Sequence, residues 1–332
     1  MKYTALRTPN SKLRTPTLQM VNAYHDFRLF YNQNIHPELL HLEQRRRRLI
    51  RLLLLSGLLL AGALALQIFV GVFVFTLFLL IPVMIWMSYL AFRVRVFYQE
   101  FKPRIVGLLL DFIDNDVNFT FQGYDAGGSI SKKQFLESRI FTTADDYAGE
   151  DMIRGQVRET PFEMCELRVR EFSPARNRLD YVFRGIFLIG DYKRWDLHGG
   201  VLVLPDSYRK YLSRSERAFH LVGGRRVKDN LLPEFEAFFD TYATPDIKIH
   251  EVISEDMQRV ILKFREMFLL KNRQKEIYFS IIADKIYLAL TQDKDLLEPS
   301  LFSNNTNFET ISEFYSDIRL LLEVVLDVDV MN

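Results

Sequence analysis

Side chains that could do chemistry are present in this chain, but no familiar catalytic motif brings them together. The acidic pairs Asp145-Asp146 and Asp191/Asp196 fall in predicted loops, where solvated turn residues are far commoner than acid–base groups. No glycine-rich phosphate-binding motif occurs, and the Gly-Gly pairs are typical of turns. No two histidines have the i, i+4 spacing of helical metal ligands; they are His25, His36, His41, His198, His220 and His250. The sequence therefore predicts no catalytic, cofactor-binding or metal-binding residue, and no cofactor.

The single cysteine limits the redox chemistry of the chain. Cys165 has no second cysteine with which to form an internal disulfide or a cysteine-based zinc site. It lies in a strand-like run, so we interpret it as a small core residue rather than a nucleophile. A lone free thiol also fits a reducing, cytoplasmic environment.

A basic segment between Ser207 and Lys228 is the best candidate for a binding surface. Its aromatic residues are Tyr208, Tyr211 and Phe219, and its one acidic residue is Glu216. Docking on anionic lipid head groups is one interpretation, since each basic side chain near such a surface contributes about 1 kcal/mol. A solvated face is the plainer alternative, and a nucleic-acid surface is a third. We call the following seven residues the basic patch: Arg209, Lys210, Arg214, Arg217, Arg225, Arg226 and Lys228.

The chain as a whole is organised around the charge-free run from Leu52 to Phe92. A hydrocarbon core about 30 Å thick needs roughly 20 helical residues, so this run is long enough for two spans. We predict a helical hairpin with spans near 49–67 and 71–92 and a turn at Gln67–Gly71. A helical hairpin buried in a soluble core is the alternative. The position of the run, some fifty residues into the chain, excludes a signal peptide.

Arginines on both sides of the run predict its orientation. Arg45–Arg48 and Arg51 precede the first span, and Arg93 and Arg95 follow the second. By the positive-inside rule, both flanks and both termini face the cytoplasm of a bacterial inner membrane. Residues 1–51 carry ten Lys/Arg against three Asp/Glu, whereas the remainder carries 33 against 39. The acidic remainder argues against a nucleic-acid partner, so the lipid bilayer is the expected one.

Four regions follow from this pattern. We expect a disordered tail at 1–19, a juxtamembrane helical segment at 20–48, a transmembrane hairpin at 49–92 and a cytoplasmic domain at 100–330. In residues 20–36, apolar side chains recur at helical spacing. This segment either lies on the membrane as an amphipathic helix or packs against the domain, and we favour packing.

The domain pattern is α+β, with short strands in a mainly antiparallel sheet and flanking helices. Predicted strands cover 117–121, 162–169, 181–189, 201–204 and 247–252, followed by a hairpin at 277–282 and 285–290. Predicted helices cover 101–112, 130–141 and 233–240, and another is capped by Ser254. A Thr306/Glu309 capping box begins the final helix, whose apolar face includes Phe314 and Ile318. A partly closed barrel like that of PH-like domains is one arrangement consistent with this order.

Several segments, taken in order, resemble one uncharacterised bacterial membrane family, domain of unknown function 3137. They are PELLHLEQRRRRLI before the two spans, then YVFRGIFLIGDYKR, VLVLPD, PEFEAFFDTYATPD, KEIYFSIIADKIYLAL, LEPSLF and NFETISEFYSDIRLLLEVV. The resemblance implies a two-span anchor with a cytoplasmic domain, encoded beside LemA-type membrane proteins. It assigns no catalytic residue. We therefore expect a scaffold or interaction module with a membrane protein partner, for which LemA-type proteins are the candidates that the resemblance implies. A lipid-sensing domain and an enzyme without a familiar motif are the alternatives.

Overall fold

The computed structural model describes residues 24–70, 73–191, 199–206, 210–228, 231–245, 247–270, 275–293 and 297–330. The tail predicted at 1–19 lies outside the described residues. The described chain is an α+β protein in which two long N-terminal helices precede an antiparallel sheet. This confirms the predicted fold class.

The first two helices run far beyond the predicted spans. A π-helical turn at Tyr31–Ile35 leads into α1 (His36–Val70), and α2 extends over Phe73–Asp114. Both are long and apolar enough to cross a membrane, judged by length and composition. The helix expected separately at 101–112 is the continuation of α2, with Pro103 inside it. The chain stays helical through Val70, so residues 67–70 of the turn predicted at Gln67–Gly71 are helical instead.

Nine strands form one antiparallel sheet. They are β1 (Phe119–Asp125), β2 (Asp146–Val157), β3 (Thr160–Ser173), β4 (Arg178–Asp191), β5 (Gly200–Pro205), β6 (Arg225–Val227), β7 (Phe239–Ala243), β8 (Ile277–Ile282) and β9 (Lys285–Thr291). Their order across the sheet is β1-β2-β3-β4-β9-β8-β5-β7-β6. Among the described strands nothing pairs β1 with β6, so the sheet is open rather than a closed barrel. The predicted β8–β9 hairpin is confirmed.

Six further helices flank the sheet. They are α3 (Lys132–Glu137), α4 (Lys210–Leu221), α5 (Pro233–Glu236), α6 (Ile249–Val252), α7 (Glu255–Leu270) and α8 (Phe308–Val330). The helix predicted at 233–240 is wrong beyond Glu236, because β7 follows it and pairs with both β5 and β6. The strand predicted at 247–252 is also wrong, since this segment forms the single turn α6. Short apolar runs suit either structure, and sheet pairing decides between them.

Two cores lie on opposite faces of the sheet. One contains Phe101 of α2, Leu188 of β4 and Ile318 of α8, all at most 3% exposed. The other contains Phe135 of α3 and Phe219 of α4, both fully buried. The first core extends along α2 as far as Phe97. The domain boundary predicted near residue 100 therefore falls within α2, and the residues of α2 before and after it belong to the same core.

Residues 24–35 pack against the domain, as favoured from the sequence. Phe27, Tyr31 and Ile35 are at most 3% exposed. The Phe27 ring stacks on Tyr315 of α8, with centroids 4.1 Å apart and planes 5° from parallel. Such a pair adds about 0.5–1.5 kcal/mol beyond the area it buries. The N-terminal segment is therefore part of the folded domain.

Two helix starts were predicted from capping residues, and one of them is correct. The Ser254 hydroxyl accepts a hydrogen bond from the Met257 amide at 2.9 Å, as an N-cap does. The final helix begins instead after Asn307, whose side chain accepts from the Glu309 amide at 2.9 Å. Thr306 does not cap it, because its hydroxyl donates to Asn304. Asparagine caps helices as well as threonine does, so the pattern alone does not distinguish the two sites.

Candidate functional site

The most concentrated group of ionisable side chains surrounds Lys102, which projects from α2 toward the sheet. Its ammonium lies 2.5 Å from Asp151 Oδ2, 3.0 Å from Glu298 Oε1 and 4.0 Å from Glu166 Oε2. Lys102 is 8% exposed and Glu166 is 3% exposed. Asp151 belongs to β2, Glu166 to β3, and Glu298 to the segment before α8. We call these four residues the Lys102 cluster; it joins α2 to three separate parts of the domain.

A distortion of β2 brings Asp151 to the lysine. The β2–β3 register shifts between Glu150 and Ile153, which is the pattern of a β-bulge. Asp151 has a φ of 60° there, a left-handed conformation that aspartate tolerates better than most residues. The Tyr124 hydroxyl donates to Asp151 Oδ1 at 2.5 Å and fixes the carboxylate from β1. The bulge therefore directs the Asp151 side chain toward Lys102, whereas a regular strand would direct it away from the lysine.

The electrostatics of the Lys102 cluster favour a permanently charged lysine. Burial by itself lowers the pKa of Lys102, but Asp151, Glu298 and Glu166 outweigh it and raise the pKa well above its usual value. Burial, together with the hydrogen bond to Asp151, likewise raises the pKa of Tyr124. A lysine held in its protonated form has no lone pair with which to act as a nucleophile or a general base. The geometry is that of a buried ion-pair network.

The space beside the Lys102 cluster is small. A cavity of about 20 Å³ lies between Lys102, Tyr124, Cys165 and Phe314, which is room for about one water molecule. Glu150, Asp151 and Glu166 have carboxylate oxygens within 4.8 Å of one another, as ligands of a cation would. The Lys102 ammonium already supplies a positive charge to two of these carboxylates. The ammonium thus offsets part of the negative charge of these carboxylates, and the cavity leaves little space for a substrate.

Cys165 lines the same cavity and is a core residue, as interpreted from the sequence. It is 1% exposed, and the Ile130 amide donates to its sulfur at 3.3 Å. Burial raises the pKa of its thiol to about 12. The nucleophilic thiolate is therefore scarce at neutral pH.

A second buried network joins the start of β8 to the last helix. Lys275 Nζ lies 2.5 Å from Asp317 Oδ2 and 2.8 Å from Glu313 Oε1. The Gln292 side chain donates to the same Asp317 oxygen at 2.5 Å. Asp317 is fully buried, and Lys275 is almost as well covered. Together the two networks fasten the inner surfaces of α2 and α8 to the sheet.

Ion pairs also join α1 to α2 beyond the apolar run. Arg45 Nη1 is 2.9 Å from Glu100 Oε2, and Arg104 Nε is 2.6 Å from Glu38 Oε1. We call residues 31–51 and 93–114 the stalk. Within it, Arg46 is 7% exposed and forms two hydrogen bonds with Glu43, which lower the pKa of Glu43. The two helices of the stalk are therefore fixed to each other by charge as well as by apolar packing.

The basic patch is only partly a free cationic surface. Arg214 forms a two-pronged ion pair with Glu171 of β3, and Arg226 pairs with Asp240 of β7. Arg225 and Lys228 are exposed on and just after β6. Arg217 is exposed on α4, which begins at Lys210; the Lys210 side chain and all of Arg209 lie outside what the structure describes. At least two of the seven side chains thus already bind carboxylates of the same chain.

The acidic pair predicted in a loop at Asp145-Asp146 is partly in a strand. Asp146 opens β2 and pairs with Arg170 at 2.5 Å, while Asp145 accepts from the Phe172 amide at 2.9 Å. Asp191 ends β4, and Asp196 lies outside the described residues. In the described part of the chain, Asp145 and Asp146 thus form contacts with residues of β3.

Sequence reasoning missed the Lys102 cluster. Its members lie far apart in the chain, and only the β2 bulge and the segment before α8 bring them together. One signal was available: Lys102 is followed at i+3, i+4 and i+7 by Ile105, Val106 and Leu109. A lysine in the middle of an apolar helix face is rarely buried without a partner. This spacing indicates a buried ion pair, although not with which carboxylates.

Comparison with known proteins returned one family. The family model described as "Protein of unknown function (DUF3137)" matches residues 181–330, from within β4 to the end of α8. The comparison with curated proteins and the comparison with solved structures each found no match.

Proposed function

We propose that this chain, whose residues 181–330 match the DUF3137 family model, is a two-span bacterial inner-membrane protein whose cytoplasmic domain is an interaction module. In this proposal both termini are cytoplasmic. The bilayer holds the hairpin, and a second membrane protein, of which LemA-type proteins are the first candidates, docks on the domain. Each part of the proposal rests on a separate observation.

The observation that carries the proposal is a reversal of burial along α2. Phe78, Ile85 and Phe92 are 75%, 68% and 61% exposed, whereas Phe97 and Phe101 are both 3% exposed. The phenylalanines of one continuous helix therefore change from uncovered to covered between Phe92 and Phe97. Exposed apolar surface of this extent requires a partner. Lipid is the partner that covers two adjacent apolar helices on all remaining sides.

The dimensions of the hairpin suit a bilayer. Leu52 to Val70 rises roughly 28 Å at about 1.5 Å per residue, close to the hydrocarbon thickness. Within this apolar region the Trp86 indole donates to the Ser56 hydroxyl at 2.9 Å, and Ser56 donates to the Leu52 carbonyl at 2.7 Å. Interhelical hydrogen bonds of this kind satisfy polar groups where water is absent. The arginines of both flanks then lie at one end of the hairpin, the expected cytoplasmic end.

The unbroken helices make the domain a rigid extension of the anchor. Both α1 and α2 pass from the apolar run into the stalk without a flexible linker. The Lys102 cluster and the ion pairs of the stalk then fix these helices to the sheet. A domain held at a set orientation above the membrane suits docking of a partner in the same membrane.

The free end of the β3–β4 hairpin is the surface we assign to that partner. Phe172, Leu179 and Tyr181 are 45%, 40% and 55% exposed there. Phe172 pairs with Leu179 across the hairpin, and Tyr181 pairs with Arg170 two residues away, so these side chains share one face. Arg170 and Arg184 lie about 6 Å from the Tyr181 ring. Aromatic residues flanked by arginine are typical of protein interfaces.

One experiment on the full-length chain tests both the membrane topology and the surface assigned to the partner. Reporter fusions at the C-terminus and near residue 69 are expected to report cytoplasm and periplasm, respectively. Proteins and lipids that co-purify from membranes are then identified for the parent chain and for Tyr181→Glu, which places a charge on the proposed interface. We expect the variant to lose its protein partner and to keep its topology.

Leu221→Glu is the matched control, because Leu221 is 88% exposed at the end of α4 and lies outside the proposed interface. Equal loss in both variants contradicts the assigned surface, and a periplasmic C-terminus contradicts the proposed orientation of the hairpin. The lipid-sensing alternative gains support if an anionic lipid co-purifies and disappears in Arg225→Gln/Lys228→Gln, since these two patch side chains are exposed. Its affinity should also fall with salt, because charges are screened over about 8 Å at physiological ionic strength.

A further inference from the structure

The segment between β9 and α8 lies along the stalk and is tied to it at three points. Glu298 accepts from Lys102 at 3.0 Å, the Leu301 carbonyl accepts from Arg46 Nη1 at 2.5 Å, and the Thr306 carbonyl accepts from the Tyr31 hydroxyl at 3.1 Å. We call residues 297–306 the stalk loop. Its middle is attached to Arg46, and Arg46 is much closer to the apolar run than Tyr31 is. The stalk loop therefore extends from Lys102 toward the proposed membrane as far as Arg46, and then returns to Tyr31.

The apex of the stalk loop is an ordered turn. Ser300 and Asn305 exchange two hydrogen bonds of 2.8 and 2.9 Å, and the amides of Phe302 and Ser303 donate to the Ser300 hydroxyl at 3.3 and 3.1 Å. Within this turn Leu301 is 8% exposed and Phe302 is 86% exposed. Scattered exposed apolar residues are common on protein surfaces. This one, however, is held outward by a closed network of hydrogen bonds.

The distance of the apex from the hydrocarbon core follows from its hydrogen bond to Arg46 of α1. Arg46 precedes Leu52 by six residues, or roughly 9 Å of helix, and its guanidinium points back toward Glu43, which lies roughly 14 Å below Leu52. The headgroup layer extends roughly 5–8 Å beyond the hydrocarbon on each side. By this estimate the apex lies just beyond the headgroup layer, so an aromatic side chain that projects from it toward the hairpin can reach the head groups but not the hydrocarbon. The arginines Arg47, Arg48, Arg51, Arg93 and Arg95 are exposed on the stalk next to that level.

We propose that Phe302 is an interfacial anchor that inserts into the cytoplasmic surface of the bilayer beside the hairpin. This inference rests on the proposed membrane insertion of α1 and α2. Its occupant is lipid: phenylalanine is one of the apolar side chains with which interfacial segments enter the headgroup boundary, and the neighbouring arginines attract anionic head groups. The stalk loop then gives the domain a contact with the membrane beside its two helices. That contact fixes which side of the domain faces the bilayer.

The test uses an environment-sensitive fluorophore on single cysteines of the full-length chain in nanodiscs of anionic and neutral phospholipid. Cys165 can remain in place, because it is buried and its raised pKa suppresses labelling at neutral pH. The probe sites are Phe302→Cys, Val117→Cys as the aqueous control and Leu58→Cys as the membrane control. Val117 and Leu58 are 96% and 71% exposed, so neither label disturbs packing.

We expect the emission at position 302 to lie to the blue of that at 117 and to be quenched by a headgroup-attached quencher. Position 58 should be quenched by an acyl-chain quencher and position 117 by neither. If the label at position 58 reports lipid while the label at 302 gives the same emission and quenching as that at 117, the interfacial anchor is refuted. The transmembrane hairpin then still stands. If 58 itself reports water, the membrane proposal fails and the anchor fails with it.

Discussion

Replacing Lys102 with methionine is expected to destabilise the folded chain by roughly 3–5 kcal/mol, the usual cost of removing one partner from a buried ion pair. Methionine has a similar length, so the change leaves little cavity. It removes a cation that lies within 4.0 Å of Asp151, Glu166 and Glu298. Glu166 in particular is 3% exposed and cannot exchange that partner for water without opening the structure. The measurement is denaturant unfolding of the full-length protein in a mild detergent.

Lys133→Met is the matched control for this substitution. The Lys133 side chain is 88% exposed, and its nearest carboxylate, on Glu137, is 3.9 Å away within α3. Exposed pairs of this kind contribute about 0–1 kcal/mol, so the control should unfold almost like the parent. Adding Asp151→Asn to Lys102→Met should recover part of the loss, because it removes one unpaired charge. Unchanged stability in Lys102→Met would mean that water reaches the cluster and that α2 is not fastened there.

The repeating features of this fold could be predicted from the sequence because each has a local cause. Charge-free length predicted the two apolar helices, and the arginines on both sides marked where the apolar run ends. Two apolar runs joined by the two-residue turn Ala283-Asp284 predicted the β8–β9 hairpin, and helical spacing predicted the buried face of α8. In each case the residues that carry the signal are neighbours along the chain or one turn apart. Local periodicity therefore suffices.

The features that were missed depend on contacts between distant residues. The apolar run could indicate where α2 leaves a membrane but not that the same helix enters a core, because that core is completed by β4 and α8. The segment 239–243 became β7 because β5 and β6 offer it hydrogen bonds on both sides. Asp151 turned inward because of a bulge whose cause is not visible in the sequence of β2 alone. Tertiary pairing overrides local preference in such segments.

A second large effect is expected in the last helix, where Phe314→Ala should cost roughly 3–5 kcal/mol. Phe314 is 6% exposed in the core shared by α2 and α8, and its ring lines the small cavity beside Lys102. Truncation would enlarge that cavity next to a charged group, and the surrounding side chains are too closely packed to fill it. The measurement is again unfolding of the full-length chain, because residues 24–35 and Phe97 belong to the same core and must be present.

Phe302→Ala provides the control of identical chemistry for Phe314→Ala. Phe302 is 86% exposed, so in detergent its removal should change stability by no more than about 0.5 kcal/mol, as is usual for surface substitutions. The contrast between two phenylalanines twelve residues apart separates the loss of packing from any general effect of removing an aromatic ring. If Phe314→Ala unfolds like the parent while Phe302→Ala does too, α8 can leave the sheet at little cost. The helix would then be a detachable segment available to a partner, and the ion pairs of Lys275 with Glu313 and Asp317 of α8 would contribute little to holding it on the sheet.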